Sequence, residues 1–182
     1  MKARGYFAVG MEGISKTRNL GAILRTAHAF GASFAFTVDG RADRRAAREV
    51  DTSGASHHMP LFEHETLAEL RLPSDCAVVG VELCERALHL PSFRHPSRAA
   101  YLFGPERGSL SVEAQAMCEH VVAIPTRFCV NVGLACAVVL YDRHLQAAHH
   151  PERPLRPGGP MMADVQGWVN PGSERVPFSR ER

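Results

Sequence analysis

The chain has 182 residues, one domain's worth: enough for a sizeable core and too short for two substantial domains, which excludes a large modular enzyme. Hydrophobic residues make up 45% and charged residues 22%, a balance that excludes wholesale disorder, collagen and coiled coil. The net charge is +2, from 21 Lys and Arg against 19 Asp and Glu, so the total points neither to a histone-like polycation nor to an acidic tail.

In chain order, Tyr6 to Val9 is a short apolar run that reads as a buried strand. Leu20, Ile23, Leu24, Ala27 and Phe30 then recur at helical spacing, with Asn19 as the expected N-cap and Gly31 as the expected stop. Ser33 to Val38, Ala77 to Val81, Ala99 to Phe103 and Val121 to Ile124 are further strands, each bounded by Gly, Pro or Asp. Asp43 to Val50, Thr66 to Leu70 and Ser111 to Cys118 carry weaker helical patterns. Val130 to Gln146 is a long helix, apolar on nearly all sides up to Tyr141, and such a helix needs more cover than its own sheet provides. Strands alternating with helices predict an α/β fold, a mostly parallel sheet with helices on both faces whose ligands sit beyond the C-terminal strand ends. Residues 1–150 are expected to form this domain and residues 151–182 a Pro, Gly and Arg-rich extension.

Five cysteines form no C-x-x-C pair, and the N-terminus lacks the apolar core of a secretory signal, so a reducing cytoplasm is the expected compartment. No apolar stretch approaches the roughly 18 residues of a membrane span. The small net charge hides an asymmetry. Residues 1–48 hold nine Lys and Arg against three Asp and Glu, or +6, and residues 49–90 hold two against eight, or −6. A basic first quarter suits either a polyanion footprint or an ordinary solvated surface.

Three segments leave predicted strands and mix glycine with convergent polar groups. The first, Ser15 to Arg25, carries Lys16, Arg18, Asn19, Gly21 and Arg25 at the N-terminal end of a helix, where backbone N–H groups attract anions. The second, Phe103 to Ser111, has glycines that let the backbone approach a flat ligand while Glu106 presents a carboxylate; it lacks the P-loop pattern. The third, Ile124 to Ala135, places Asn131 inside an apolar run, where a buried amide is either a helix-start cap or a fixed element of a site.

In this order and at these strand ends, the segments resemble the three motifs of the SpoU (TrmH-like) branch of the SPOUT RNA methyltransferases, over roughly Tyr6 to His150. Asn19, Gly21 and Arg25 meet the first motif, N-x-G-x-x-x-R. Leu102 to Ser111 meets the second, and Ile124-Pro125 with Val130-Asn131-Val132 the third. The resemblance implies an α/β sheet with a deep trefoil knot in its C-terminal portion and a pocket for S-adenosylmethionine lined by Val81, Gly104, Ile124, Cys129 and Val130. It further implies a homodimer through the knot and final helix, methyl transfer to an RNA ribose 2′-hydroxyl with S-adenosylhomocysteine as product, and no metal. Lys16, Arg18 and Arg25 are the expected RNA contacts; Arg25, Asn19, Glu106 and Asn131 are the expected catalytic set. The chain departs from the pattern at Cys129, where many relatives have serine, at Gly133, and in a loop from Pro125 to Asn131 about three residues shorter than usual.

A 2′-hydroxyl is a poor nucleophile, so the site must position it and manage its proton. Family models assign this to the motif-one arginine, in some versions as general base. A guanidinium with a pKa above about 12 is better suited to orienting a phosphate and stabilising the developing alkoxide. With no appended RNA-binding domain before Tyr6, the chain resembles minimal members acting on transfer RNA more than those acting on ribosomal RNA. The altered third motif leaves open a non-catalytic RNA-binding relative. The absence of G-x-G-x-x-G disfavours a generic nucleotide-binding enzyme. His57-His58, and His144 with His149-His150, lack ligand spacing for a metal, and Trp168 reads as a packing anchor or dimer contact.

Overall fold

A strand whose successive residues are all apolar has no face for water and must lie mid-sheet with cover on both sides. Ala99 to Phe103 meet that description, and every one of them is buried. In the computed structural model, which describes residues 5–43, 46, 59–148, 150 and 153–161, they form most of β6 (Arg98–Phe103) at the centre of a seven-stranded sheet. The other strands are β1 (Tyr6–Glu12), β2 (Phe34–Val38), β3 (Leu61–His64), β4 (Ala77–Val81), β5 (Leu88–His89) and β7 (His120–Ala123). Their order is β3-β2-β1-β6-β4-β7-β5 and all pairings are parallel.

The two-residue alternation of β6 divides the core. Ala99, Tyr101 and Phe103 face a cluster covered by α1 (Thr17–Ala29) and α3 (Val132–Ala147), including Ile23, Leu24, Cys136, Val139 and Leu140. Ala100 and Leu102 face the opposite cluster, closed by Leu110, Ala114 and Cys118 on and around α2 (Val112–Met117). Burying a side chain of this size stabilises by about 1.5–3 kcal/mol, so the doubly covered central strands dominate the fold's stability.

Several predicted boundaries need correction. Asn19 does not cap α1: the helix begins at Thr17 with Lys16 in the cap position, and Asn19 is buried in the first turn. Gly31 does stop that helix, at φ +80°, where its N–H donates to the His28 carbonyl and that of Ala32 to Ala27, the paired closure that a left-handed glycine permits. Thr66 to Leu70 contains a single 3₁₀ turn, Leu67–Glu69, too short and too exposed to hold a helix. β3 and β5 carry no apolar signature because one is an edge strand reading Leu-Phe-Glu-His and the other has two residues. α3 begins two residues later than the apolar pattern, at Val132. Most of Asp43 to Val50, with His57, His58, His149 and Trp168, lies outside the described residues.

Near its C-terminal end α3 is fastened to the sheet by a buried cation. Arg143, 8% exposed, donates to the carbonyls of Pro96 (2.6 Å) and Ser97 (3.1 Å) and to the Tyr101 hydroxyl (3.2 Å). Its guanidinium carbon sits 5.0 Å from the centroid of the Phe7 ring. His95 lies between Tyr101 Oη at 2.6 Å and Asp142 Oδ2 at 3.0 Å, and burial pushes its pKa down despite the facing carboxylate. On the outer side of α3, Leu134, Val138 and Tyr141 leave an exposed apolar strip. Chain contacts divide at residues 147 and 148; beyond that point residues 153–161 carry no helix or strand and are exposed. Replacing Arg143 by methionine leaves two carbonyls without their charged donor, and should lower unfolding free energy by about 1.5–3 kcal/mol in urea titrations.

Candidate active site

In a parallel sheet the C-terminal strand ends share one edge, and loops leaving them converge. Here the loops after β1, β4, β6 and β7 enclose a cavity of about 320 Å³. Its apolar walls include Val81, Leu83, Phe103, Ile124 and Val130, and its polar lining includes Lys16, Glu82, Glu106, Thr126 and Asn131. A larger groove of about 810 Å³ opens at the other end of the strands, beside Ala77 and Arg98, with an exposed Asp75–Arg98 ion pair at 3.1 Å. None of the three motif segments reaches it.

The loop after β6 folds back on itself: a Cβ on Gly104 would press on the Leu110 nitrogen at 3.1 Å, and Gly108 sits at φ +103°, a conformation that favours glycine. Three carboxylates hold this loop. Glu12, at the end of β1, accepts from the Ser111 N–H (2.8 Å) and hydroxyl (2.6 Å), while Ser111 Oγ accepts in turn from the Ala114 N–H and caps α2. Glu82, just past β4, accepts from Leu83 N–H (2.8 Å) and Leu110 N–H (2.7 Å).

Glu106 is the third, and it reaches across to the first motif. Its Oε2 accepts from the Ser15 N–H (3.2 Å) and hydroxyl (2.9 Å); its Oε1 accepts from the Lys16 N–H (2.8 Å) and Asn19 Nδ2 (3.0 Å). Burial alone would push this carboxyl's pKa up. Backbone N–H groups of Lys16 and of Glu106 itself, with the Asn19 and Ser15 side chains, outweigh burial and hold it at about 2. The cap-position residue of α1, Lys16, makes no side-chain cap hydrogen bond; Glu106 accepts from its N–H and sets a negative charge beside the helix N-terminus.

The contacts also fix the direction of both amides. A carboxylate can only accept, so Asn19 must present its NH₂ to Glu106 and its oxygen to the third motif. Asn131 Nδ2 donates to that oxygen at 3.2 Å, leaving Asn131 Oδ1 to accept from the Gly133 N–H at 2.9 Å and cap α3. Asn131 is exposed, not buried as its apolar neighbours suggested, and is a helix-start cap that is also tied to the first motif.

The residues expected to contact a cofactor, Val81, Gly104, Ile124, Cys129 and Val130, all line the cavity, as do Lys16, Glu106 and Asn131. Asn19 lies behind the wall, joined to it by hydrogen bonds. Arg18 and Arg25 are exposed on α1 and do not line the cavity. Sequence reasoning passed over Glu12 and Glu82. A carboxylate directly after an apolar strand is the signal they offered. Among the described residues no group of three or more His, Cys, Asp or Glu is placed to hold a metal ion, and no helix is long and apolar enough to cross a membrane.

The profile of the SpoU rRNA Methylase family matches residues 6–141, which contain the whole sheet and the three joined loops. The chain belongs to this family. It is similar to a tRNA (guanosine(18)-2′-O)-methyltransferase of Thermus thermophilus, 31% identical over 144 residues, covering 75% of this chain and 73% of that protein. The 23S rRNA (guanosine-2′-O-)-methyltransferase RlmB of Acinetobacter baylyi is 28% identical over 142 residues, 74% of this chain and 57% of that one. The fold is shared with a crystal structure of an AdoMet-bound rRNA methyltransferase from Sinorhizobium meliloti, with a TM-score of 0.70 and 23% identity over 80% of this chain and 58% of that one.

Because Glu106 has a lower pKa folded than the ordinary 4.5, its contribution to stability is complete above about 4.5 and is lost as pH falls toward 2. Denaturation of the wild type across that interval should show the loss, and Glu106→Gln should flatten it.

Proposed function

We propose that this SpoU-family protein is an S-adenosylmethionine-dependent RNA methyltransferase acting on a ribose 2′-hydroxyl, with transfer RNA as its substrate. The observation that carries the reading is the hydrogen-bonded joining of three family motifs around one cavity at the strand ends. Transfer RNA is chosen over ribosomal RNA because the more similar relative acts on it and is matched over more of its length.

The cavity suits the cofactor on its own chemistry. Gly104 puts main chain on the cavity wall, apolar walls at Val81, Ile124 and Val130 accept a flat ring, and Glu82 and Glu106 place negative charge beside a cation. When bound, S-adenosylmethionine supplies a methyl group activated on a sulfonium, and the product is S-adenosylhomocysteine. Val81, Gly104, Ile124, Cys129 and Val130 would hold it. Glu106, ionised down to about pH 2 and engaged by four donors, is a poor proton acceptor and acts as the anchor that fixes Asn19. Asn19 and Asn131 keep the first and third motifs in register. Arg25, exposed on α1 outside the cavity lining, orients the phosphate beside the acceptor ribose. Lys16 and Arg18 contribute phosphate contacts from the same basic segment.

A trefoil knot in the C-terminal portion is consistent with β4 lying between β6 and β7 while the loops after all three strands line one cavity. A homodimer would cover the Leu134, Val138 and Tyr141 strip on α3. Five free thiols suit a reducing cytoplasm.

The reading is tested by incubating the protein with methyl-labelled cofactor and transfer RNA, then digesting the RNA to nucleosides for mass spectrometry. A 2′-O-methylated nucleoside is expected; label on a base, or on no nucleoside of either transfer or ribosomal RNA, overturns it. Arg25→Ala should abolish transfer while cofactor affinity by calorimetry stays within about twofold. RNA affinity should fall steeply with salt, and Lys16→Ala or Arg18→Ala should each lower the slope of log K against log salt by about one.

A further inference from the structure

The loop after β7 has two sides. Thr126, Cys129, Val130 and Asn131 line the cavity, whereas Arg127 and Phe128 do not, and Phe128 is 84% exposed. The segment is a formed turn: the Thr126 N–H donates to the Ile124 carbonyl at 2.9 Å, and the Thr126 hydroxyl donates to the Phe128 carbonyl at 2.8 Å. A hydrogen-bonded turn thus holds an apolar ring in water at the mouth of the cavity, with an exposed cation directly before it.

We propose that Phe128 is a stacking platform for a base of the RNA substrate next to the methylated nucleotide, and that Arg127 contacts the adjoining phosphate. The inference rests on the RNA reading above and adds a contact which that reading does not contain. A ribose presented to the cavity must leave its neighbours' stack, and a base unstacked in this way is taken up by an aromatic face. Position supports this occupant: Phe128 directly precedes Cys129 and Val130, which line the cavity, so a base on it would belong to a nucleotide near the acceptor ribose. Charge supports it too, since Lys16 on the cavity wall and Arg127 on the outer side of this loop complement a polyanion. The competing occupant, a second copy of the chain, already has a separate apolar strip on α3.

The test measures anisotropy of labelled transfer RNA, and separately of labelled ribosomal RNA fragments, with wild type, Phe128→Ala, Phe128→Leu, Phe128→Trp and Arg127→Ala. Phe128→Ala and Phe128→Leu should weaken binding roughly 5- to 150-fold with an unchanged salt slope, because stacking releases no counterions. Phe128→Trp should restore affinity, since a flat ring and not apolar bulk is required. Arg127→Ala should instead reduce the slope by about one. Cofactor affinity by calorimetry and molar mass by light scattering should not change in any variant. Equal RNA affinity in wild type and Phe128→Ala, or rescue by leucine, overturns the platform. A fall in molar mass with Phe128→Ala overturns it in favour of a subunit contact. Failure of the wild type to bind either RNA removes the RNA reading itself, and the platform with it.

Discussion

The joining of the three motif loops depends on one ionised carboxylate. Glu106 accepts from Ser15, Lys16 and Asn19, and because it can only accept, it dictates which way Asn19 points and therefore which way Asn131 points. Segments more than a hundred residues apart are thereby joined through three side chains. The relay ends on the Gly133 N–H, so it also starts α3. Its low pKa is the electrostatic signature of that role: burial opposes the charge and four donors overcome it. Such a network is costly to satisfy in part, since the buried Asn19 amide would lose the partner it was desolvated for.

The sheet supplies the frame within which this relay operates. Strands buried on both faces cannot slide by one residue without exposing an entire apolar set, so their ends are held in fixed positions. Glu12 and Glu82 then tie the loop after β6 to two of those ends, which turns a glycine-rich segment into a formed wall. α3 serves both sides of the arrangement. Its first residues close the cavity, its buried face carries Cys136, Val139 and Leu140, and Arg143 locks its far end to β6 through Tyr101 and the turn before that strand. The outward strip of Leu134, Val138 and Tyr141 is the remainder of a helix that is apolar nearly all round.

Much of this was legible before any coordinates. The apolar runs from Ala77 to Val81 and from Ala99 to Phe103 match strands almost residue for residue, because burial on both faces leaves no room for polar interruption. The periodicity of Leu20 to Phe30 and the glycine after it matched α1 and its stop. The edge strands β3 and β5 were illegible for the converse reason: a half-solvated strand of two to four residues carries no pattern distinct from a loop. Asn19 was misread as a cap because a side-chain oxygen before an apolar helix is the usual local solution. In the fold its amide is engaged instead by the distant Glu106 carboxylate and by Asn131.

Local rules of periodicity and glycine chemistry were sufficient to settle the α/β architecture, the three loops and the residue types gathered in them, since each depends only on neighbours within a turn or a strand. The partners of those residues were not settled in this way. That Glu106 meets Asn19, that Asn19 meets Asn131, and that Glu12 and Glu82 belong to the same wall all follow from strand order. Parallel strands far apart in sequence become neighbours only through crossovers, and a hydrogen bond between their loops has no signature at any single position in the chain.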